Sequence, residues 1–338
     1  MKNNSTKLLM MFTLIGGLLI SISSNSWLGV WLGLEINLLS FIPIMSSSED
    51  MMTTEASMKY FIVQAMSSTI LIFMIITIST MKNMNQELLK MMINIPLIIK
   101  VGSAPFHWWF PSVMEGLQWN NCFILLTVQK VAPLCLMSYT MTLNTMSSTV
   151  IASSLIVGSM GGYNQTSLRK IMTYSSINHL GWMIAATMIS KLSMLIYLMI
   201  YSIMNLVITG MMGKMNLSHI NQISPSISEA PMMKILMMST MLSLGGLPPL
   251  IGFMPKWLII MSMIENHMLM MLMLMVITSL ATLYYYIRLL YSTLMIQDPK
   301  MKWYYYYPNK MMSKIYLMMV ILIITGMITL LPLMSILY

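Results

Sequence analysis

The sequence predicts an all-α, polytopic membrane protein of about eleven transmembrane helices. Charged residues make up 8% of its 338 positions, against about a quarter in soluble domains. Hydrophobic residues make up 57%, and they fall into stretches near the roughly 20 residues that cross the hydrocarbon of a bilayer. Polar or Gly/Pro-rich breaks divide the chain into spans at 6–24, 26–46, 57–81, 88–106, 121–142, 148–163, 171–190, 192–213, 232–262, 268–290 and 314–337.

The first span follows Lys2 and Lys7 and resembles a secretory signal, but a mature chain this apolar argues that it is retained as a helix. No Arg-rich amphipathic leader precedes it. The ninth span is long enough to hold an interruption, and "SLGGLPPLIGFMPKW" (243–257) supplies one. With the N-terminus inside, inner loops carry Lys2, Lys7, Arg169, Lys170, Lys214, Lys234, Arg288, Lys300, Lys302, Lys310 and Lys314, and outer loops carry Lys82, Lys90 and Lys191. The positive-inside rule therefore places the N-terminus inside and the C-terminus outside.

Several function classes are excluded. Cys122 and Cys135 lack CxxC spacing, so no cluster, zinc site or structural disulfide is indicated. Neither GxGxxG nor GxxxxGK[ST] occurs, so no nucleotide site is expected. The net charge of +9 is spread over short loops, which fits membrane topology better than nucleic-acid binding. The 48 Met residues fit an AT-rich genome that reads ATA as Met, and they imply packing rather than metal.

The chain also resembles itself. Gly102, Pro105 and Pro111 form G-x2-P-x5-P, and Gly246, Pro249 and Pro255 repeat it 144 residues on. The same shift carries span two onto seven, four onto nine and five onto ten. Five helices separate the copies, so the second enters from the opposite face. The expectation is an inverted five-helix repeat, 1–145 and 146–292, each with one discontinuous helix, followed by a loop and last helix at 293–338. Inverted repeats with matching broken helices mark transporters, with the ion path near the breaks.

Charged residues within the spans are the candidate site, because a charge at the bilayer centre costs roughly 2.5–3.5 kcal/mol on insertion scales. Lys100 precedes the first break and Lys256 follows the second. For Lys100 the alternative is snorkelling toward the interfacial "HWWF" (107–110). Glu35 sits mid-span, about 15 Å from either end, and needs a buried cationic partner. Lys130 is also mid-span, with Pro133 able to open its helix. His179, near Ser175, Ser176 and Asn178, reads equally as a proton relay or a hydrogen-bonded packing residue. Glu55 and Lys59 read as a surface i,i+4 pair. His107, Trp108, Trp109 and "WYYYY" (303–307) read as interfacial anchors rather than a quinone pocket.

"GLEINLLSFIP" (33–43), "TEASMKYF" (54–61), "KVGSAPFHWWFP" (100–111), "QKVAPL" (129–134), "GGYNQTSLRKIMTYSSINHLGWM" (161–183) and "LSLGGLPPLIGFMPKW" (242–257) resemble the subunit 2 family of mitochondrial NADH:ubiquinone oxidoreductase, respiratory complex I. The resemblance runs from about residue 15 to 292, and the tail matches only in character. It implies a proton-translocating, antiporter-like subunit among other membrane-arm subunits of the mitochondrial inner membrane, in which Glu35, Lys100, Lys130 and Lys256 match the family's buried charges. It also implies that NADH, FMN, iron–sulfur clusters and ubiquinone are handled elsewhere, with no cofactor bound here. A free-standing cation/proton antiporter and a structural membrane scaffold without a proton path are the alternatives.

Overall fold

The structure, a computed structural model, describes residues 4–46, 50–80, 86–223, 231–248 and 250–294. The predicted last span 314–337, the tyrosine run 303–307, Pro249 and the loop lysines Lys2, Lys82, Lys300, Lys302, Lys310 and Lys314 lie outside the described residues.

Thirteen α-helices are described. They are α1 (Asn4–Ser23), α2 (Trp27–Met45), α3 (Met51–Thr80), α4 (Gln86–Val101), α5 (Trp109–Gly116), α6 (Trp119–Leu126), α7 (Val128–Thr140), α8 (Thr145–Gly161), α9 (Leu168–Ile189), α10 (Lys191–Lys214), α11 (Pro231–Gly245), α12 (Phe253–Glu265) and α13 (Leu269–Leu294). Side-chain caps define several starts. Ser26 accepts from Gly29 N at α2, Ser190 from Ser193 N at α10, and Asn144 and Ser147 form a capping box at α8. Among the described residues six segments are long and apolar enough to cross a membrane: Ser5–Ser23, Trp27–Met45, Met51–Thr80, Trp119–Thr140, Lys191–Lys214 and Leu269–Tyr291.

α9 organises the rest. It is buried along nearly its whole length and packs against α5, α7, α8, α10, α12 and α13. Its polar residues Ser175, Ser176, Asn178 and His179 are therefore held inside protein rather than facing lipid. α8 comes close enough to α9 that a Cβ on Gly158 would overlap the backbone of Asn178. At the end of α8, Arg288 of α13 donates to the carbonyls of Tyr163 and Gln165, which ties the α8–α9 connection to α13.

Two faces follow from the connections. The first carries the α2–α3, α5–α6 and α8–α9 connections and the segment after α10, whose residues line one common cleft. The second carries the α7–α8 and α9–α10 connections, where Lys191 Nζ sits 3.7 Å from the centroid of the Tyr139 ring.

Both expected interruptions are present, with the same local geometry. α4 ends at Val101 and the chain resumes helix at Trp109; α11 ends at Gly245 and resumes at Phe253, each 144 residues later. At the first, Gly102 takes φ +77°, Gly102 N donates to Ile99 O and Ser103 N to Ile98 O. At the second, Gly246 takes φ +82°, Gly246 N donates to Ser243 O and Leu247 N to Leu242 O. This is the Schellman ending, which needs a residue at ease in the left-handed region and so favours Gly. Pro111 and Pro255 are each the third residue of the resumed helix, in the first turn where a missing N–H costs nothing.

Three expectations need correction. The aromatic run is not uniformly interfacial: Trp108 is 80% exposed, but Trp109 and Phe110 turn inward, and Trp109 Nε1 donates to Ile99 O at 3.2 Å. The span 121–142 breaks at Thr127 (φ −120°, ψ −71°), whereas Pro133 lies within α7 without interrupting it. α3 starts earlier than expected, which places Glu55 and Lys59 in its opening turns as an exposed pair at 2.6 Å.

Gly158→Leu should force α8 away from α9, an overpacking that costs about 1–3 kcal/mol or more. Gly16, whose Cβ would meet nothing within 4 Å, should tolerate Leu. Thermal denaturation of the purified assembly checks this. A midpoint lowered for Gly158→Leu and unchanged for Gly16→Leu is expected.

Candidate functional site

Four of the five candidate residues are buried, and a shared chamber and ring contacts link them in series. Lys100, Lys130, His179 and Lys256 are 7%, 2%, 5% and 4% exposed. Each is held by a different local device.

Lys100 occupies the last turn of α4, directly before the Schellman turn. Such an ending leaves carbonyls without intrahelical donors. The Lys100 carbonyl is satisfied by Gln64 Nε2 of α3 at 3.2 Å. Its side chain faces a chamber shared with Tyr60, Gln64, Phe110, Gln129 and Lys130. The chamber has about 20 Å³ of space for water centres, which is room for about one water. Gln129 Nε2 donates to Asn37 Oδ1 at 3.0 Å and closes one wall.

Lys130 lines the same chamber, from the first turn of α7. Its Nζ sits 5.1 Å from the centroid of the Phe110 ring and 5.2 Å from that of the Tyr201 ring, and has no hydrogen-bond partner among the described residues. A desolvated cation–π contact is worth about 2 kcal/mol, whereas burying an ion costs several kcal/mol. Two aromatic faces roughly offset that cost, and the chamber has room for about one water to add to them.

The Tyr201 ring also leads onward. Its centroid lies 5.0 Å from that of the His179 ring, and His179 Nδ1 is 2.8 Å from Tyr197 Oη. Trp182, one turn beyond His179 on α9, lies under Lys256, with Nζ 5.7 Å from its ring centroid. His179 thus stands beside the Tyr201 ring that faces Lys130, and one turn of α9 from the Trp182 ring that faces Lys256.

Lys256 comes from the first turn of α12 and reaches back to the second break. Its Nζ donates to Gly245 O at 2.9 Å and lies 3.5 Å from Leu244 O. These are carbonyls freed by the ending of α11, so the cation and the break satisfy each other. Gly246 is required here twice over: by its φ of +82°, and because a Cβ would stand 2.9 Å from Lys256 Nζ.

Glu35 differs from expectation. It is half-buried on α2, and among the described residues no ion pair joins it to Lys100. The sequence reading also missed Tyr60, Gln64, Tyr197 and Tyr201. Gln64 carried a signal as an amide within an apolar span; the tyrosines become recognisable only through the rings and lysines they approach. No group of three or more His, Cys, Asp or Glu among the described residues could hold a metal ion.

An all-helical membrane protein with two broken helices and a line of buried lysines between them is of the transporter class. The family described as "NADH:quinone oxidoreductase/Mrp antiporter, TM" matches residues 24–282. NADH-ubiquinone oxidoreductase chain 2 of Locusta migratoria is 47% identical over 272 residues, covering 79% of each chain. The chain 2 protein of Oryctolagus cuniculus is 41% identical over 273 residues, covering 78% of each. The chain belongs to this NADH:quinone oxidoreductase/Mrp antiporter family. A chain of respiratory complex I from Thermus thermophilus has the same fold, with a TM-score of 0.84 at 20% identity over 96% of this chain and 78% of that one. A chain of the Mrp complex from Dietzia sp. is similar at a TM-score of 0.76 and 14% identity, over 86% of this chain and 60% of that one.

Gly246→Ala should cost about 1–2 kcal/mol in backbone strain alone, plus displacement of the Lys256 ammonium from the α11 carbonyls. In a Lys256→Met background the second part vanishes. A double-mutant cycle on thermal stability should therefore show non-additivity, and purely additive effects would separate Gly246 from Lys256.

Proposed function

We propose that this chain is a proton-translocating, antiporter-like core subunit of the membrane arm of respiratory complex I, working in the mitochondrial inner membrane among other membrane-arm subunits. NADH oxidation and ubiquinone reduction take place elsewhere in the complex, and this chain turns the coupled changes into proton movement. The observation that carries the reading is Lys130. A buried ammonium with aromatic contacts and no hydrogen-bond partner, set between a break-associated Lys on one side and a His–Lys pair on the other, suits a group that gains and loses a proton.

In this reading Glu35 tunes Lys100, Lys100 and Lys130 exchange protons through the shared chamber, and His179 relays toward Lys256. The arrangement also supports an inverted repeat of residues 1–145 and 146–292, followed by a C-terminal segment 293–338. The two breaks coincide after a shift of 144 residues, in helix end, glycine φ and helix restart. Eleven spans, with the N-terminus in the matrix and the C-terminus in the intermembrane space, complete the topology. Arg169, Lys170 and Lys214 cluster on the first face, which is the positive side.

Lys130→Arg tests the carrier role. Arg keeps the charge and donors but effectively cannot deprotonate, its pKa lying above about 12. The assembled variant should reduce quinone while moving fewer protons per electron in sealed vesicles. Full pumping would show that deprotonation at this position is unnecessary.

Glu35→Gln should also lower the proton-to-electron ratio, while NADH oxidation by artificial acceptors that bypass quinone stays normal. An unchanged ratio at normal turnover would remove Glu35 from the path. For topology, protease added outside intact mitoplasts should reach the C-terminal end before the N-terminal one, and the reverse order would overturn the assigned orientation.

A further inference from the structure

The second face carries a slot that the proton path does not use. α3 starts on the first face and crosses, so α4 starts on the second and runs inward to the first break. Between α4, that break and the start of α8 lies a cavity of about 210 Å³, lined by Met91, Ile95, Ile98, Phe106, Met141 and Val150 among others. Met91 to Ile98 is two turns of α4, so the slot reaches inward for about 10 Å. The α7–α8 connection lines its outer end, and Pro105 and Phe106 of the break line its inner end.

The polar groups in its wall are already paired. Asn94 Nδ2 donates to Thr140 O at 3.4 Å, and Asn94 Oδ1 accepts from Thr140 Oγ1. Asn144 Nδ2 donates to Thr142 Oγ1 at 2.9 Å, Ser147 Oγ to Asn144 O at 2.6 Å and Thr149 Oγ1 to Met146 O at 2.8 Å. Walls that ask for no further hydrogen bond favour an apolar occupant over water. A partner helix would need a groove as deep as the hydrocarbon layer, roughly 30 Å. Two turns of slot accept only a slender chain, and the bilayer supplies such chains at this depth. Charge at the outer end agrees. Exposed Glu87 and half-buried Lys90 lie in the first turns of α4, with Lys90 one turn outward of Asn94. The ion pairs among the described residues are Glu55–Lys59 and Lys170–Glu115, so neither Glu87 nor Lys90 is in one. Lys191, also on this face, sits over the Tyr139 ring. A free carboxylate beside a free ammonium at headgroup level complements a headgroup that carries both a cation and a phosphate.

We propose that this slot seats one acyl chain of a zwitterionic phospholipid, with the headgroup at Glu87 and Lys90. The chain braces the first break from the lipid side. Ile98, whose carbonyl accepts from Gly102 N and Ser103 N in the Schellman turn, is one of its walls, and Phe106 is another. The site is independent of the proton-path reading above.

The test uses phosphatidylcholine carrying a photoreactive diazirine on one acyl chain, equilibrated with the assembled complex in nanodiscs and irradiated. Mass spectrometry then locates the adducts. Labelling of 91–98 and 141–150 several-fold above that of the lipid-facing side of α1 is expected. Labelling no higher than on α1 overturns the proposal, and this is also the result if a side chain of another subunit fills the slot. Moving the diazirine from the carboxyl end of the chain to its tip should move adducts from the Met91 and Met141 end toward Ile98 and Phe106; adducts that do not follow this order overturn the seating. Thr149 is exposed on the slot wall, so Thr149→Trp should fill the slot and bring its labelling down to the α1 level. Unchanged slot labelling in that variant overturns the site. Glu87→Ala with Lys90→Ala should lower slot labelling several-fold, and equal labelling overturns the headgroup seat. The diazirine series needs no substitution and decides alone if the variants do not assemble.

Discussion

A carbonyl released from a helix inside a membrane must find a donor, because lipid offers none. This constraint is met at both breaks and fixes the arrangement around them. Each Schellman turn returns two N–H groups to the helix it ends, and each leaves a last-turn carbonyl facing inward. At the first break the donor is an amide from another helix, Gln64 to Lys100 O. At the second it is the Lys256 ammonium, which arrives from beyond the break and meets the carbonyls of Gly245 and Leu244. Hydrogen bonds to a charged group are worth about 1.5–3 kcal/mol, so the second break stabilises the ion that stabilises it.

The same reasoning explains why α9 lies at the centre. A helix carrying Ser175, Ser176, Asn178 and His179 in its middle would be poorly placed against acyl chains. Enclosed by α5, α7, α8, α10, α12 and α13, it holds these groups in protein, and the more apolar helices form the periphery. α1 and α3 show the complementary pattern. Each exposes large apolar side chains, Leu9, Phe12 and Leu19 on α1 and Met66, Phe73 and Ile76 on α3, as a bilayer or a partner helix requires.

Much of the interior line was legible from residue types because charge is rare in such a chain and local rules are strict. Lys100, Lys130 and Lys256 stand out against apolar neighbours, and Gly102 and Gly246 followed by prolines announce helix ends through backbone sterics alone. The break at Thr127 was not legible. The sequence offers Pro133 as the disrupting residue, but α7 begins at Val128 and accommodates that proline, and no local rule marks Thr127. Trp109 misled for a related reason. Aromatic residues beside a break suit either an interface or a core, and only the fold-back of α5 decides between them. Tyr201 was invisible as a site residue because its significance is its position under Lys130 and beside His179, a property of three helices rather than of one segment.

The two breaks are alike in backbone and unlike in charge, and that asymmetry bears on direction. A shift of 144 residues aligns the helix ends, but it places Leu244 opposite Lys100 and Ser112 opposite Lys256. The cation therefore precedes one break and follows the other. Lys256 is anchored to two carbonyls, whereas Lys130, between the breaks, has aromatic faces and a chamber with room for about one water. On the proposed path a proton would pass among sites with unequal surroundings even though the two breaks share one backbone geometry. A symmetric set of sites would favour neither direction by itself. Here the difference is built into which side of each break the lysine occupies, so changes in neighbouring charge or in chamber water can bias transfer without rearranging the helices.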